Sequence, residues 1–173
     1  GTGYVGLVSG TCFADIGNQV YCVDKDKNKI DKLNSGISPI YEPGLDELIK
    51  KNYDANRLIF TTDIKKAINS SDLIFICVGT PTKKGSLKVD LSFDYKCSKE
   101  ILKHSKKKKI IITKSTVPVG TGDEIEKIIK KKKKLFSVIS NPEFLREGEA
   151  IRDFRYPDRI VIGSDNKNEF KTM

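Results

Sequence analysis

Short apolar runs recur along the chain, and the stretches between them are charged, with apolar residues three or four apart. The runs are "VYCVD", "LIFTT", "LIFICV", "IIITKS", "LFSVIS" and "RIVIG". They are continuous rather than alternating, as in strands covered on both faces. "LVSGTCFADIG", "GLDELIKK", "DIKKAI" and "GDEIEKIIKKK" have helical spacing, and Thr121 with Glu124 predicts a capping box ahead of the last. Strand and helix therefore alternate. The pattern predicts an α/β fold, a Rossmann-like doubly wound parallel sheet. Asn52–Asn56 and Lys83–Ser92 read as exposed connections, the second long enough to overhang a site.

Ligands of such sheets bind beyond the carboxyl ends of the strands, so the residues there carry the candidate chemistry. "GTGYVG" places Gly1, Gly3 and Gly6 at the spacing of a dinucleotide turn. A helix follows it, and Asp24 closes the strand "VYCVD" about 20 residues on, the distance such a motif requires. Gly1 permits the tight turn, Gly3 lets backbone amides approach a pyrophosphate, and Gly6 allows close helix packing. Asp24 would accept hydrogen bonds from ribose hydroxyls and repel a phosphate, which favours NAD over NADP; Lys25 and Lys29 soften that preference. The motif opens with the chain itself, so the first strand is expected to be truncated and this chain alone to bind NAD weakly. The plainer reading, glycines serving only a helix-strand turn, accounts less well for Asp24.

At the next strand ends stand Thr80, Pro81 and Thr82, a rigid polar rim, and then Ser115 and Thr116, two hydroxyls able to donate to a phosphate, a ribose or a sugar. Ordinary turns use the same residues. After the fifth run comes "SNPEFLREGEAIRDF". Asn141 as N-cap, Pro142 at the first helical position and Glu143 in the first turn predict a helix start. On that helix Glu143 and Glu147 would share one face, pointing to the cofactor. Phe144, Leu145 and Arg146 offer stacking surface, backbone groups and a cation to a second ligand. A carboxylate pair beside a nicotinamide suits proton transfer or water positioning, hence an enzyme.

Composition narrows the picture. The 173 residues suit one compact domain,. No run is long and apolar enough for a membrane span and no leader opens the chain, so a cytoplasmic protein is expected. Cys12, Cys22, Cys77 and Cys97 lack metal-ligand spacing and read as reduced thiols; no metal is expected. The net charge of +9 is concentrated in Lys106–Lys109 and Lys130–Lys134. Each run closes a helix and precedes a strand, where cations complement a helix C-terminus. A nucleic-acid patch is the weaker reading, since no aromatic residues are interleaved.

"GTGYVGL", "VYCVD", "SPIYEPGLDEL", "VGTPT", "KSTVPVGT", "NPEFLREGEAIRDF" and "PDRIVIG", in that order, resemble the nucleotide-binding half of the UDP-glucose/GDP-mannose dehydrogenase family over essentially the whole chain. The resemblance implies oxidation of UDP-glucose to UDP-glucuronate by two NAD-dependent hydride transfers through a cysteine thioester. It implies that Gly1, Thr2, Gly3, Tyr4, Val5 and Gly6 hold the pyrophosphate and that Asp24 and Lys29 hold the adenosine ribose. Thr80, Pro81, Thr82, Ser115 and Thr116 would touch other parts of NAD. Glu143 would aid thioester hydrolysis, with Thr116 positioning the water. Phe144, Leu145, Arg146 and Glu147, with Glu143, would line the sugar nucleotide, Glu147 also near the cofactor. None of the four cysteines matches the nucleophile, which is expected beyond Met173 with the central, dimer-forming helix and a UDP-binding domain. This chain alone is thus expected to be inactive, and the full-length protein a homo-oligomer. GDP-mannose or N-acetylmannosamine dehydrogenases are alternatives within the same chemistry, and a non-catalytic NAD-binding module is one outside it.

Overall fold

The computed structural model describes all residues except 84, 86, 87, 166–168, 170 and 171, and only the backbone at 131, 133 and 134; part of the Lys83–Ser92 connection thus lies outside the described residues. Strands and helices alternate as the apolar runs predict. In chain order they are α1 (Tyr4–Asp15), β1 (Val20–Val23), α2 (Lys27–Asn34), α3 (Leu45–Asp54), β2 (Leu58–Thr61), α4 (Ile64–Ser70), β3 (Leu73–Ile76), α5 (Ser92–His104), β4 (Lys109–Thr113), α6 (Thr121–Ile129), a 3-10 turn (Lys130–Leu135), β5 (Phe136–Ser140) and α7 (Ala150–Arg155). Every pairing between these strands is parallel, so the α/β, Rossmann-like reading holds. Contacts divide the chain into two compact units, Gly1–Ala67 with Phe144–Arg159, and Ile68–Glu143 with Ile160–Met173. Among the described residues no helix is long and apolar enough to cross a membrane.

In the first unit β1 lies beside β2, Val20 opposite Leu58 and Val23 opposite Thr61. Their crossover carries α2 and α3, because parallel neighbours need a long connection. The core joins Leu7, Val8 and Cys12 of α1 to Cys22, Leu33, Leu45, Leu58 and Ala150. α1 is buried along most of its length. Its approach to β1 is set by Gly10: a Cβ there would stand 2.6 Å from the Cys22 sulfur. Asp15 ends α1, an unfavourable place for an acid. Lys51 at 2.7 Å, Arg155 at 2.7 Å and Asn52 at 3.2 Å offset this, and the Lys51 contact leads in holding its carboxyl below the ordinary range. Asn52 is fully buried inside α3 and also accepts from Arg57. Sequence alone put it in an exposed connection; a buried amide network overrides its turn preference.

In the second unit the order is β3-β4-β5, with Leu73 opposite Ile110 and Lys109 opposite Phe136. Ile111, Ile112, Ile125, Ile129 and Ile139 are buried. The lysine runs act on helix ends. Lys132 Nζ donates to the Leu102 and Ser105 carbonyls at the close of α5, and Lys109, itself buried, donates to the Ser71 carbonyl just past α4.

Two local expectations fail here. α6 is entered through Gly120 at φ +89° with no side-chain cap, and the Thr121 hydroxyl donates to the Pro118 carbonyl at 2.7 Å; the turn consumes the group that a capping box needs. "RIVIG" forms no strand. It makes a single antiparallel bridge, Ser140 with Gly163, Ile160 and Val161 are exposed, and the Val161 carbonyl is taken by the Asn141 side chain at 2.9 Å.

Candidate functional site

Gly3 precedes α1 in an extended conformation with no side-chain cap. A helix start leaves its first amides without intrahelical partners, here those facing the glycine turn. A Cβ on Gly3 would meet nothing within 4 Å, so the space before these donors is open. Anions are favoured there.

Asp24 follows β1 and binds back into the turn. Its Oδ2 accepts from both the Thr2 amide and the Thr2 hydroxyl, each at 2.9 Å, and Thr2 is fully buried. Lys29 Nζ lies 3.3 Å from the same oxygen, while Oδ1 accepts from the Asp26 amide at 3.1 Å. Burial alone would raise the pKa of this carboxyl,. The donors from Thr2 and Asp26, with Lys29, overcome it and hold the group far below the ordinary carboxylate range. Asp24 is therefore an ionised acceptor fixed between strand end and glycine turn. Among the described residues Oδ1 has one protein donor, leaving capacity for a hydroxyl. These features fit a dinucleotide: open amides at a helix start for the pyrophosphate and a fixed carboxylate for the ribose.

Residues 144–149 belong to the same unit. Phe144 is exposed, with the Arg159 guanidinium 5.3 Å from its ring centroid. Leu145 packs on the core. Arg146 is committed to Asp153, its backbone amide at 2.9 Å and its guanidinium at 3.0 and 2.7 Å, and reaches Glu149 as well. Glu147 is exposed and lines an open hollow with Tyr4, Ile40, Tyr41 and Gly148.

The helix predicted at Asn141 is not there. Residues 141–146 are irregular and α7 starts at Ala150. The Asn141 side chain accepts from Lys114 Nζ at 3.2 Å and donates to the Val161 carbonyl, so it caps nothing. Glu143 and Glu147 consequently share no helical face, and they fall in different units. The acceptor at the start of α7 comes instead from Glu42, which takes the amides of Gly148, Ala150 and Ile151.

In the second unit the Ser115 hydroxyl links two strand-end loops, donating to the Val78 carbonyl at 2.8 Å and accepting the Val78 amide at 3.1 Å. Thr80 donates to the Thr116 carbonyl at 3.3 Å. Thr116, Pro81 and Thr82 are exposed and Glu143 is half-buried. Thr82 pairs with Val89 across the loop that follows. Lys114, buried beside this segment, is held below its ordinary range by desolvation. Burial pushes the Cys12 and Cys77 thiols up to about 11 and raises that of Cys97. Such thiols are poor nucleophiles. No metal-binding cluster occurs among the described residues.

Sequence reasoning passed over Glu42, Lys114 and Gly10. The first two had a usable signal: a lone acid in the otherwise turn-like "SPIYEPGL", and a lysine closing an apolar strand.

Residues 1–173 match the model of the UDP-glucose/GDP-mannose dehydrogenase family, NAD binding domain. Among curated proteins the chain is similar to the UDP-glucose 6-dehydrogenase of Rhizobium meliloti, 54% identical over 97% of this chain and 39% of the relative. It is similar also to the UDP-glucose 6-dehydrogenase TuaD of Bacillus subtilis, 54% identical over 95% and 36%. Among solved structures, a ternary complex of GDP-mannose dehydrogenase from Pseudomonas aeruginosa aligns with a TM-score of 0.93 and 39% identity, covering 99% of this chain and 41% of the other. A UDP-glucose dehydrogenase from Pyrobaculum islandicum aligns equally well at 35% identity, with the same coverage. The chain spans roughly two fifths of the length of these proteins.

Proposed function

The chain belongs to the UDP-glucose/GDP-mannose dehydrogenase family, matching its NAD-binding domain throughout, and from that premise we propose that it holds NAD for an enzyme oxidising UDP-glucose to UDP-glucuronate. The observation that carries the reading is the Asp24 carboxylate locked onto Thr2 inside the glycine turn. A turn braced by the acid that would receive a ribose suits a nucleotide without a 2′-phosphate, because a phosphate there would meet a fixed negative charge.

Bound NAD supplies a hydride acceptor. The residues of this chain supply its seat. The open amides at the start of α1, from Gly3 to Gly6, take the pyrophosphate, and Asp24 with Lys29 takes the adenosine ribose. Thr80, Pro81, Thr82, Ser115 and Thr116 contribute further contacts, Ser115 chiefly by fixing the loop backbone. Glu147 approaches the cofactor from the Tyr4 hollow, and Phe144, Leu145 and Arg146 border the sugar nucleotide, Arg146 being fixed there by Asp153 through both its amide and its guanidinium. Glu143 acts in thioester hydrolysis, with Thr116 orienting the water. The nucleophilic cysteine is not one of the four here, consistent with the raised thiols of Cys12, Cys77 and Cys97. It belongs to a part of the enzyme beyond this chain, and the whole assembles as a homo-oligomer in the cytoplasm.

The 54% identity to curated UDP-glucose 6-dehydrogenases favours that sugar. The structural likeness to a GDP-mannose dehydrogenase keeps a second substrate in play. A panel of UDP-glucose, GDP-mannose and UDP-N-acetylmannosamine, tested with NAD on the intact protein, decides between them. UDP-glucose should reduce NAD fastest and with two equivalents per sugar; preferential turnover of another sugar nucleotide would overturn the assignment.

A further inference from the structure

"SPIYEPGL" is part of the family resemblance, yet the proposed chemistry gives it no task. Its acid, Glu42, is buried at 5% exposure. Burying a carboxylate is costly unless donors surround it, and here they do. Oε1 accepts the Ala150 amide at 2.9 Å and the Ile151 amide at 3.4 Å, and Oε2 accepts the Gly148 amide at 2.8 Å and the hydroxyl of Tyr4. The Tyr4 oxygen itself accepts from the Gly148 amide at 2.9 Å.

Tyr4 is the first residue of α1, adjoining the glycine turn, and Gly148 follows Glu147. One buried carboxylate therefore ties the helix that would take the pyrophosphate to the segment that would meet cofactor and sugar. Gly148 sits at φ +87°, a conformation that brings its amide to Glu42 and that other residues adopt only with strain.

We propose that Glu42 and Tyr4 are positioning residues, forming a buried clamp that fixes the 144–149 segment, and with it Glu147, against the first turn of the glycine helix. The inference rests on the reading of this chain as the cofactor half of a dehydrogenase. Neither side chain need touch a ligand. The clamp acts by holding Glu147 where the hollow with Tyr4 opens, and a misplaced group near the reacting atoms costs rate rather than cofactor affinity.

The test uses Tyr4→Phe and Glu42→Gln in the intact protein, with amide hydrogen exchange and steady-state kinetics on UDP-glucose and NAD. Tyr4→Phe keeps the ring and the backbone amide, so it removes the hydroxyl alone, both as donor to Glu42 and as acceptor of the Gly148 amide. Glu42→Gln turns one acceptor oxygen into a donor facing donors. The Gly148 and Ala150 amides should be protected in the wild type and exchange about tenfold faster in Glu42→Gln. In Tyr4→Phe, kcat should fall by roughly tenfold while KM for NAD stays within about twofold and Tm drops by only a few degrees, as the loss of one hydroxyl from a carboxylate that keeps its amide donors requires. Unprotected amides in the wild type, protection indifferent to Glu42→Gln, or full kcat in Tyr4→Phe would each overturn the clamp. A wild type that protects these amides but does not oxidise UDP-glucose would remove the functional reading while the exchange result still decides whether the clamp exists.

Discussion

The Thr2 amide and the Thr2 hydroxyl donate to one and the same oxygen of Asp24, each at 2.9 Å. The acid at the end of β1 thus has two tasks: it braces the glycine turn and it presents a charged acceptor beside it. Asp24→Asn keeps the shape but weakens both, and should lower NAD affinity about tenfold or more, the loss of a charge-assisted hydrogen bond. Because the folded carboxyl titrates far below its ordinary value, its stabilising contribution is complete above about pH 4. It fades only as the pH falls through that depressed value. Between pH 5 and 9 NAD affinity should therefore show no step owed to Asp24; calorimetric titration across that range checks it.

Gly10 and Cys22 mark where α1 lies closest to β1. Gly10→Ala places a methyl 2.6 Å from the sulfur, so α1 or the side chain must yield, at a cost of about 1–3 kcal/mol. Pairing it with Cys22→Ala should recover part of the loss, giving a coupling energy of the order expected for residues in contact, about 0.5–3 kcal/mol. Denaturant unfolding of the two single variants and the double variant measures this. Strict additivity would contradict the packing.

How much of this was legible beforehand follows from range. The parallel strands were, because the runs are short, apolar and continuous. So was Asp24, whose partner Thr2 lies a motif's length away. The lysine runs were legible as cations for helix ends but not for which ends: rather than capping the helices they close, Lys132 reaches the end of α5 and Lys109, inside β4, the end of α4. Glu42 was legible only as an unexplained acid in a turn; its task was not, since the amides it accepts stand more than 100 residues downstream. Asn141 misled for the same reason: its side chain is claimed by Lys114 and Val161, neither adjacent in sequence, and with it went the shared face for Glu143 and Glu147. "RIVIG" has the composition of a strand, but strands exist by pairing, and only Gly163 finds a partner.

Asp94 gives the second unit a pH signature. It lies in the first turn of α5, fully buried, and among the described residues neither carboxyl oxygen has a hydrogen-bond partner from another residue. Burial pushes its carboxyl up to about 6. The folded state thus binds a proton more readily than the unfolded chain. The associated stability is complete below about pH 4 and is lost as the pH rises through about 6,. Asp94→Asn cancels the titration. It should match the wild type in stability near pH 4 and exceed it by on the order of 2 kcal/mol at pH 8. Thermal melts at the two pH values test this, and a difference that does not grow with pH would show that the carboxyl is not desolvated.

Asp24 and the glycine turn should together seat a dinucleotide whose adenosine ribose bears no phosphate. Titrating the intact protein with NAD and NADP, in wild type and Asp24→Ala, tests that most directly. NAD should bind at least about tenfold tighter than NADP, a difference of about 1.4 kcal/mol, and removing the carboxylate should weaken NAD and narrow the gap. Equal or tighter binding of NADP by the wild type, or an unchanged preference in Asp24→Ala, would contradict it.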